Sequence, residues 1–214
     1  MELKRTRDMA RDAELSELFA RIEQTPKQHT VKGMYVGGIW EALGEHGVTT
    51  PMPRIQKFKD YPVTDYMELS LDAAATLFPS RPLLDGLQAL GRLAIPTFAS
   101  SIVGAVIMGS VGHHWGLALK WVSKGYEVSL KPGTARVVQA GPQRAVLELR
   151  DVWNFAETYH AGVVEGLLDW CDVKGTVSPK VLSGGDTDLH IDWSTGDTYE
   201  SSKPKSDAPS PTLS

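Results

Sequence analysis

Hydrophobic positions recur at helical spacing through the first half of the chain and switch to short alternating runs in the second. In ARDAELSELFARIEQ, residues 10–24, Leu15, Leu18, Phe19 and Ile22 share one side, charge occupies the other, and Pro26 follows the end, which predicts a short amphipathic helix. VKGMYVGGIWEALGEHG, residues 31–47, joins a strand-like start to a helix around Ile39, Trp40 and Leu43, with Gly44 and Gly47 as stops. TTPMPRIQKFKDYP, with its prolines, reads as a connecting segment carrying solvated charges. From Thr64 the pattern predicts extended backbone, then a helix over SLDAAATLF capped by Ser70 or Asp72 and stopped before Pro79. PLLDGLQALGRL opens another helix with Pro82 in its first turn. A long central helix is expected from Pro96 to about Gly109, broken at SVGHHWG.

Beyond that break the period changes. YEVSL, ARVVQA and RAVLELRDV are β-branched runs separated by turn residues at Lys131-Pro-Gly-Thr and Gly141-Pro, the pattern of antiparallel strands. A helix over NFAETYHAGVVEGLLDW, Asn154 to Trp170, comes next. TVSPKVL, the turn Ser183-Gly-Gly-Asp and TDLHIDW then make a second hairpin. The final stretch, residues 194–214, is rich in Ser, Pro and Asp and is expected to be a disordered tail. Helices first, then hairpin, helix, hairpin is an α+β order, with helices packed on an antiparallel sheet. The predicted organisation is an N-terminal helical extension (1–30), one α+β domain (31–193) and the tail.

Charge narrows the choice of partner. A formal net charge of -4 and a pI near 5.9 provide no basic footprint for nucleic acid. The single cysteine, Cys171, forms no intramolecular disulfide and no multi-thiolate zinc site, which favours a reducing, cytoplasmic compartment. The N-terminus has positive charge but no apolar run behind it, unlike a secretory signal. Leu93 to Leu119 holds no formally charged residue if its histidines are neutral, and on count alone it is long enough to span a bilayer. Pro96, Thr97, Ser100, Ser101 and Ser110 dilute it, so a buried core helix is the expectation, with membrane attachment through 93–119 as a rival.

Candidate chemistry concentrates on the helix of residues 154–170. At 3.6 residues per turn Phe155, Tyr159, Gly162, Val163, Gly166 and Trp170 share a face, with Glu157, Ala161, Glu165 and Asp169 opposite. His160 falls on the flank, where it reads first as a hydrogen-bonded boundary histidine and second as a ligand. Gly162 and Gly166, four apart, leave a groove that admits a strand or second helix. Any pocket would be lined by the apolar helix around Ile102, Val106 and Ile107, with His160 and Tyr159 as its polar groups and His113 as a further candidate. Adjacent His113 and His114 point about 100° apart on a helix and cannot chelate one ion together there. No metal site is predicted. Gly-x-Ser-x-Gly, Walker, His-Glu-x-x-His and dinucleotide-turn patterns are all absent, so no reaction class is indicated and a non-enzyme is expected.

The stretches VKGMYVGGIWEAL, LGRLAIPTFASSIVGAVIMGS, GYEVSLKPGTARVVQAGPQRAVLELRDV and YHAGVVEGLLDW resemble a paralogous family of unknown function found in myxobacteria, over about residues 31–193. The helix-then-hairpin ending is similar to the wider group holding the 4-vinyl reductase domain, the haem-dependent nitric-oxide-binding domain and the Bet3-like subunits of the TRAPP tethering complex. That resemblance implies the fold. Its haem-binding members use a helical axial histidine, here His160 or His113, and a Tyr-x-Ser-x-Arg motif for the propionates, a spacing this chain lacks. The 4-vinyl reductase type carries cysteines in its final hairpin, and here there are none. The TRAPP relatives are dimeric scaffolds that can host an acyl chain. The resulting expectation is a cytoplasmic regulatory or scaffold domain, homodimeric, acting through contacts with a protein partner and holding a small apolar ligand. No cofactor is expected, with a haem or other tetrapyrrole sensor as the alternative.

Overall fold

Helical spacing in the first half produces helices almost throughout in the computed structural model, which describes residues 14–48 and 54–194. The first helix, α1, covers residues 14–24 and buries Leu18 and Ile22. Its Arg21 pairs with Glu157, and Leu18 and Ile22 pack in the hydrophobic core. Strand β1 (Thr30–Lys32) runs into helix α2 (Gly33–Glu45), and β2 (Asp60–Pro62) into α3 (Val63–Leu77). Helix α3 begins earlier than expected. Val63, Tyr66, Met67, Ser70, Leu71, Ala73 and Ala74 are its buried face, a helical spacing that outweighs the capping signal. Ser70 is therefore no cap; it sits mid-helix and donates its hydroxyl to the Tyr66 carbonyl at 2.7 Å.

The long central helix does not exist. Helix α4 (Leu83–Arg92) is followed by α5 (Ala94–Ala99), α6 (Ile102–Val111) and α7 (Trp115–Ser129). Thr97 and Ser100 hydroxyls donate to the carbonyls of Leu93 and Thr97, and the Ser101 hydroxyl oxygen accepts from the Gly104 N–H at 2.9 Å. A new helix is thereby capped where continuity was expected. The span Leu83–Ala99 meets Ile102–Val111 at 95°. Among the described residues no single helix is long and apolar enough to cross a membrane.

Helix α7 also corrects the expected strand YEVSL. Trp115, Ala118, Leu119, Val122, Tyr126 and Ser129 follow helical spacing along it, and only Leu130–Lys131 is extended, as β3. Strands β4 (Thr134–Ala140) and β5 (Arg144–Arg150) form the first hairpin, with a register irregularity between Val137 and Gln139. A π-helical turn (Ala156–His160) leads into α8 (Ala161–Trp170), and β6 (Gly175–Val181) and β7 (Thr187–Trp193) form the second hairpin. The small sheet has the order β2-β1-β3 and the large one β4-β5-β7-β6, with every pair antiparallel. Alternation is clear in β7, where Thr187, Leu189, Ile191 and Trp193 are buried. This is the α+β architecture expected, with α7 packed along β4 and α8 along β6. The tail beyond 194 and its expected disorder lie outside the described residues.

Candidate functional site

Two glycines and a π turn set the position of α8. A Cβ at Gly162 would overlap the Gln88 carbonyl oxygen, and one at Gly91 would overlap that of Tyr159. Helix α4 therefore lies in the groove expected at Gly162 and Gly166, with backbone against backbone. Glu165 closes the edge by accepting from Gln88 Nε2 at 2.8 Å and from Arg92 Nε at 3.0 Å. Phe155 adopts a left-handed conformation at φ 49° and precedes the π turn. The wide turn departs from 3.6-residue spacing. Tyr159, His160 and Ala161 are consequently all buried, whereas a regular wheel places Ala161 outward.

Away from that seam, α8 borders a half-open cavity of about 100 Å³. Its apolar wall comes from α5, α6, α7 and α8, with Phe98, Ile107, Met108, Val111, Val164 and Leu167 prominent, and Trp121 is 41% exposed beside it. Tyrosines from four elements also line it: Tyr35 of α2, Tyr66 of α3, Tyr126 of α7 and Tyr159 of the π turn. The hydroxyls of Tyr66 and Tyr159 are 2.5 Å apart, and Tyr35 bonds Ser129 Oγ at 2.7 Å. Ser129 in turn donates to the Gly125 carbonyl, so Tyr35 is the donor in that pair.

Asn154 and His160 are the remaining polar lining groups. Asn154 is buried with neither side-chain polar atom hydrogen-bonded, and His160 Nε2 is likewise buried without a partner among the described residues. His160 Nδ1 lies 2.9 Å from the Tyr126 hydroxyl. Burial pushes the His160 pKa down to about 3, so the imidazole is neutral near pH 7. Burial also raises the tyrosines, with Tyr159 pushed up to about 12 against the opposing hydrogen bond from Tyr66. No Lys, Arg, Asp or Glu lines the cavity among the described residues. Such a lining offers shape and neutral hydrogen-bonding groups, with no charge of its own.

Of the candidates, Tyr159, His160 and Ile107 line this cavity, and three do not. Ile102 and Val106 are 72% and 67% exposed on the outer side of α6; the bend before Ser101 sets which face of α6 turns inward. His113 stacks on Trp170 and bonds its carbonyl, outside the cavity. It is thus not brought together with His160, and the described residues hold no cluster of three or more metal-ligating side chains. Sequence reasoning missed Asn154, Tyr35, Tyr66 and Tyr126. The tyrosines had a signal, since each occupies the apolar face of its helix; Asn154 had none, because its burial follows from the left-handed Phe155 beside it.

Comparison with known proteins adds a family and a fold. A profile described as "Protein of unknown function (DUF2378)" matches residues 24–194. The chain belongs to this family. No curated protein matches the DUF2378 chain. Among solved structures it is similar to an H-NOX protein from S. oneidensis in the Fe(II)NO ligation state, with a TM-score of 0.53 and 16% identity over 77% of this chain and 99% of that one. The NMR structure of the SO2144 H-NOX domain from Shewanella oneidensis in the Fe(II)CO ligation state gives a TM-score of 0.55 and 15% identity, covering 76% and 98%. The Fe(II) unliganded H-NOX protein from K. algicida gives 0.51 and 10%, covering 77% and 97%. The DUF2378 chain therefore has the H-NOX fold.

Haem, the group the resemblance implies, meets only one matching residue. His160 Nε2 is a buried, partnerless nitrogen of the kind that ligates iron. Among the described residues no cation lines the cavity to pair with two propionates, and about 100 Å³ falls below the ~300–1,000 Å³ of pockets for drug-sized ligands. The residues present do not fit a tetrapyrrole.

Proposed function

We propose that this DUF2378 chain is a non-enzymatic regulatory domain that holds a small apolar molecule in the cavity between α6, α7 and α8 and acts through protein contacts, as a homodimer. The observation that carries the reading is the cavity itself: a mainly apolar, half-open space lined by Asn154, whose side chain has no hydrogen-bond partner among the described residues, and by His160, whose Nε2 has none. A recessed apolar wall left without packing partners forgoes the contacts of a closely packed interior, contacts that an apolar occupant would supply. Helix α6 supports the link to partners, because its inner residues Ile107 and Met108 line the cavity while Ile102, Val103 and Val106 present an apolar outer face. A change in occupancy that shifts α6 would alter that face.

Native mass spectrometry of the full chain against its denatured mass tests this. A non-covalent mass excess lost on denaturation, carried by a dimer, is the expected result. A bare protein that also takes up no apolar probe would overturn the ligand reading, and a monomer at micromolar concentration would overturn the dimer.

A further inference from the structure

The polar groups of the cavity point to the chemical class of its occupant. We infer that the cavity selects an uncharged molecule, about the size of a single six-membered ring or a short chain, bearing one hydroxyl or carbonyl group that Asn154 and His160 recognise. The inference rests on the ligand-binding reading and names its substrate class.

Size comes first. A cavity of about 100 Å³ is smaller than the ~150 Å³ apolar cavity known to take benzene, so one ring is near its limit, with added room at the open side. Charge comes next. With no Lys, Arg, Asp or Glu of the described residues on the wall, a carboxylate, phosphate or ammonium would be stripped of water with no counter-charge. His160 supplies none either, because burial keeps it neutral. Four tyrosine hydroxyl oxygens occur here, and each is in a hydrogen bond with another tyrosine, Ser129 or His160, the Tyr66–Tyr159 pair using one of its two protons.

What remains unsatisfied is neutral and of both polarities. Asn154 offers a carbonyl acceptor and an N–H donor, each buried and unpartnered. The pair between Tyr126 and His160 offers either one. If the hydroxyl donates to Nδ1, Nε2 carries the proton and donates; if Nδ1 donates to the hydroxyl, Nε2 is an acceptor. A hydroxyl can answer both roles and a carbonyl the donors, while a pure hydrocarbon leaves every one of these groups unpaired. Asn154 and His160 are thus the specificity-determining residues, and the tyrosines and aliphatics are the mould.

Three ring compounds of seven heavy atoms each separate the possibilities: cyclohexanol, methylcyclohexane and cyclohexylammonium, each titrated at pH 7.5 into the full chain with binding read by ligand-observed NMR. Cyclohexanol is expected to bind about ten-fold more tightly than methylcyclohexane, the worth of a hydrogen bond to a previously unpaired buried group. The ammonium is expected to be about a hundred-fold weaker than the alcohol or undetectable. In Asn154→Leu the preference for alcohol over hydrocarbon should shrink toward unity while hydrocarbon binding persists. An ammonium that binds as tightly as the alcohol, or an alcohol no better than the hydrocarbon in the native chain, overturns the class and leaves the cavity as a binding site. Failure of all three to bind overturns the cavity reading as well. The native-chain titrations decide the matter even if Asn154→Leu fails to fold.

Discussion

Helix α8 has two sides that obey opposite packing rules. Toward α4 the two backbones touch: Gly162 leaves room only for hydrogen against the Gln88 carbonyl, and Gly91 does the same against Tyr159. Toward α6 and α7 the same helix borders open volume, and Asn154 and the Nε2 atom of His160 have no hydrogen-bond partner among the described residues. A seam packed to contact is what a protein builds to fix one element against another. The seam explains how Tyr159 and His160 are held in position, and the cavity is where they would act.

The largest effect expected from breaking this contrast is on the seam. Gly162→Ala places a methyl against a backbone oxygen that cannot rotate away, so the helices must separate along their length. A loss of about 3 kcal/mol or more is expected, at the upper end for overpacked cores. Urea unfolding followed by circular dichroism reads it as a lower midpoint. A loss below about 1 kcal/mol would show that α4 yields readily and that the two sides of α8 do not differ as described.

Next in size is the pH response of the cavity side. The His160 pKa falls to about 3 in the folded chain through burial, against about 6.5 unfolded. Between those values the unfolded chain binds a proton that the folded chain does not, so stability rises with pH there. The contribution is fully present above about pH 6.5 and is lost as pH falls toward 3. At pH 4.5 the site accounts for at most about 2.7 kcal/mol of loss, two pH units at 1.36 kcal/mol each. His160→Asn, which cannot titrate, should lose correspondingly less stability between pH 7 and pH 4.5 than the native chain in parallel urea titrations. Equal losses in both would mean that His160 is solvated and that the cavity does not enforce its neutrality.

The seam was legible in the sequence and the cavity largely was not, for a physical reason. Gly162 and Gly166 stand four apart on an apolar helix, and that spacing alone states that something approaches closely. The hairpins β4–β5 and β6–β7 were equally readable, from β-branched runs and their turn residues. The cavity depends on events that leave weak local traces. Ser101 caps α6 within what reads as one apolar run, which turns Ile107 inward and Ile102 and Val106 outward. Phe155 takes a left-handed conformation, and the π turn that follows brings Tyr159, His160 and Ala161 all inside. Local periodicity assumes a regular helix, so it places neighbouring residues on different faces and misses a group that an irregular turn collects. Tyr126 was lost to the opposite error, since Tyr-Glu-Val-Ser-Leu alternates like a strand while also completing the helical face begun at Trp115.

The smallest effect is also the sharpest contrast with Gly162, because it uses the same substitution. Gly125 lies within α7, lines the cavity, and a Cβ built there meets nothing within 4 Å. It is not among the glycines with positive φ, so alanine adopts its backbone conformation without strain. Its carbonyl accepts from the Ser129 hydroxyl, a bond that an added methyl leaves untouched. Gly125→Ala should therefore stabilise the chain by about 0.5–1 kcal/mol, through the lower entropy of the unfolded state and the better helix propensity of alanine. A rise in the urea midpoint beside a large fall for Gly162→Ala would give one substitution opposite signs on the two sides of α8. A destabilised Gly125→Ala would mean that the cavity wall is closed at α7, and the distinction between a packed side and an open one would fail where it is easiest to measure.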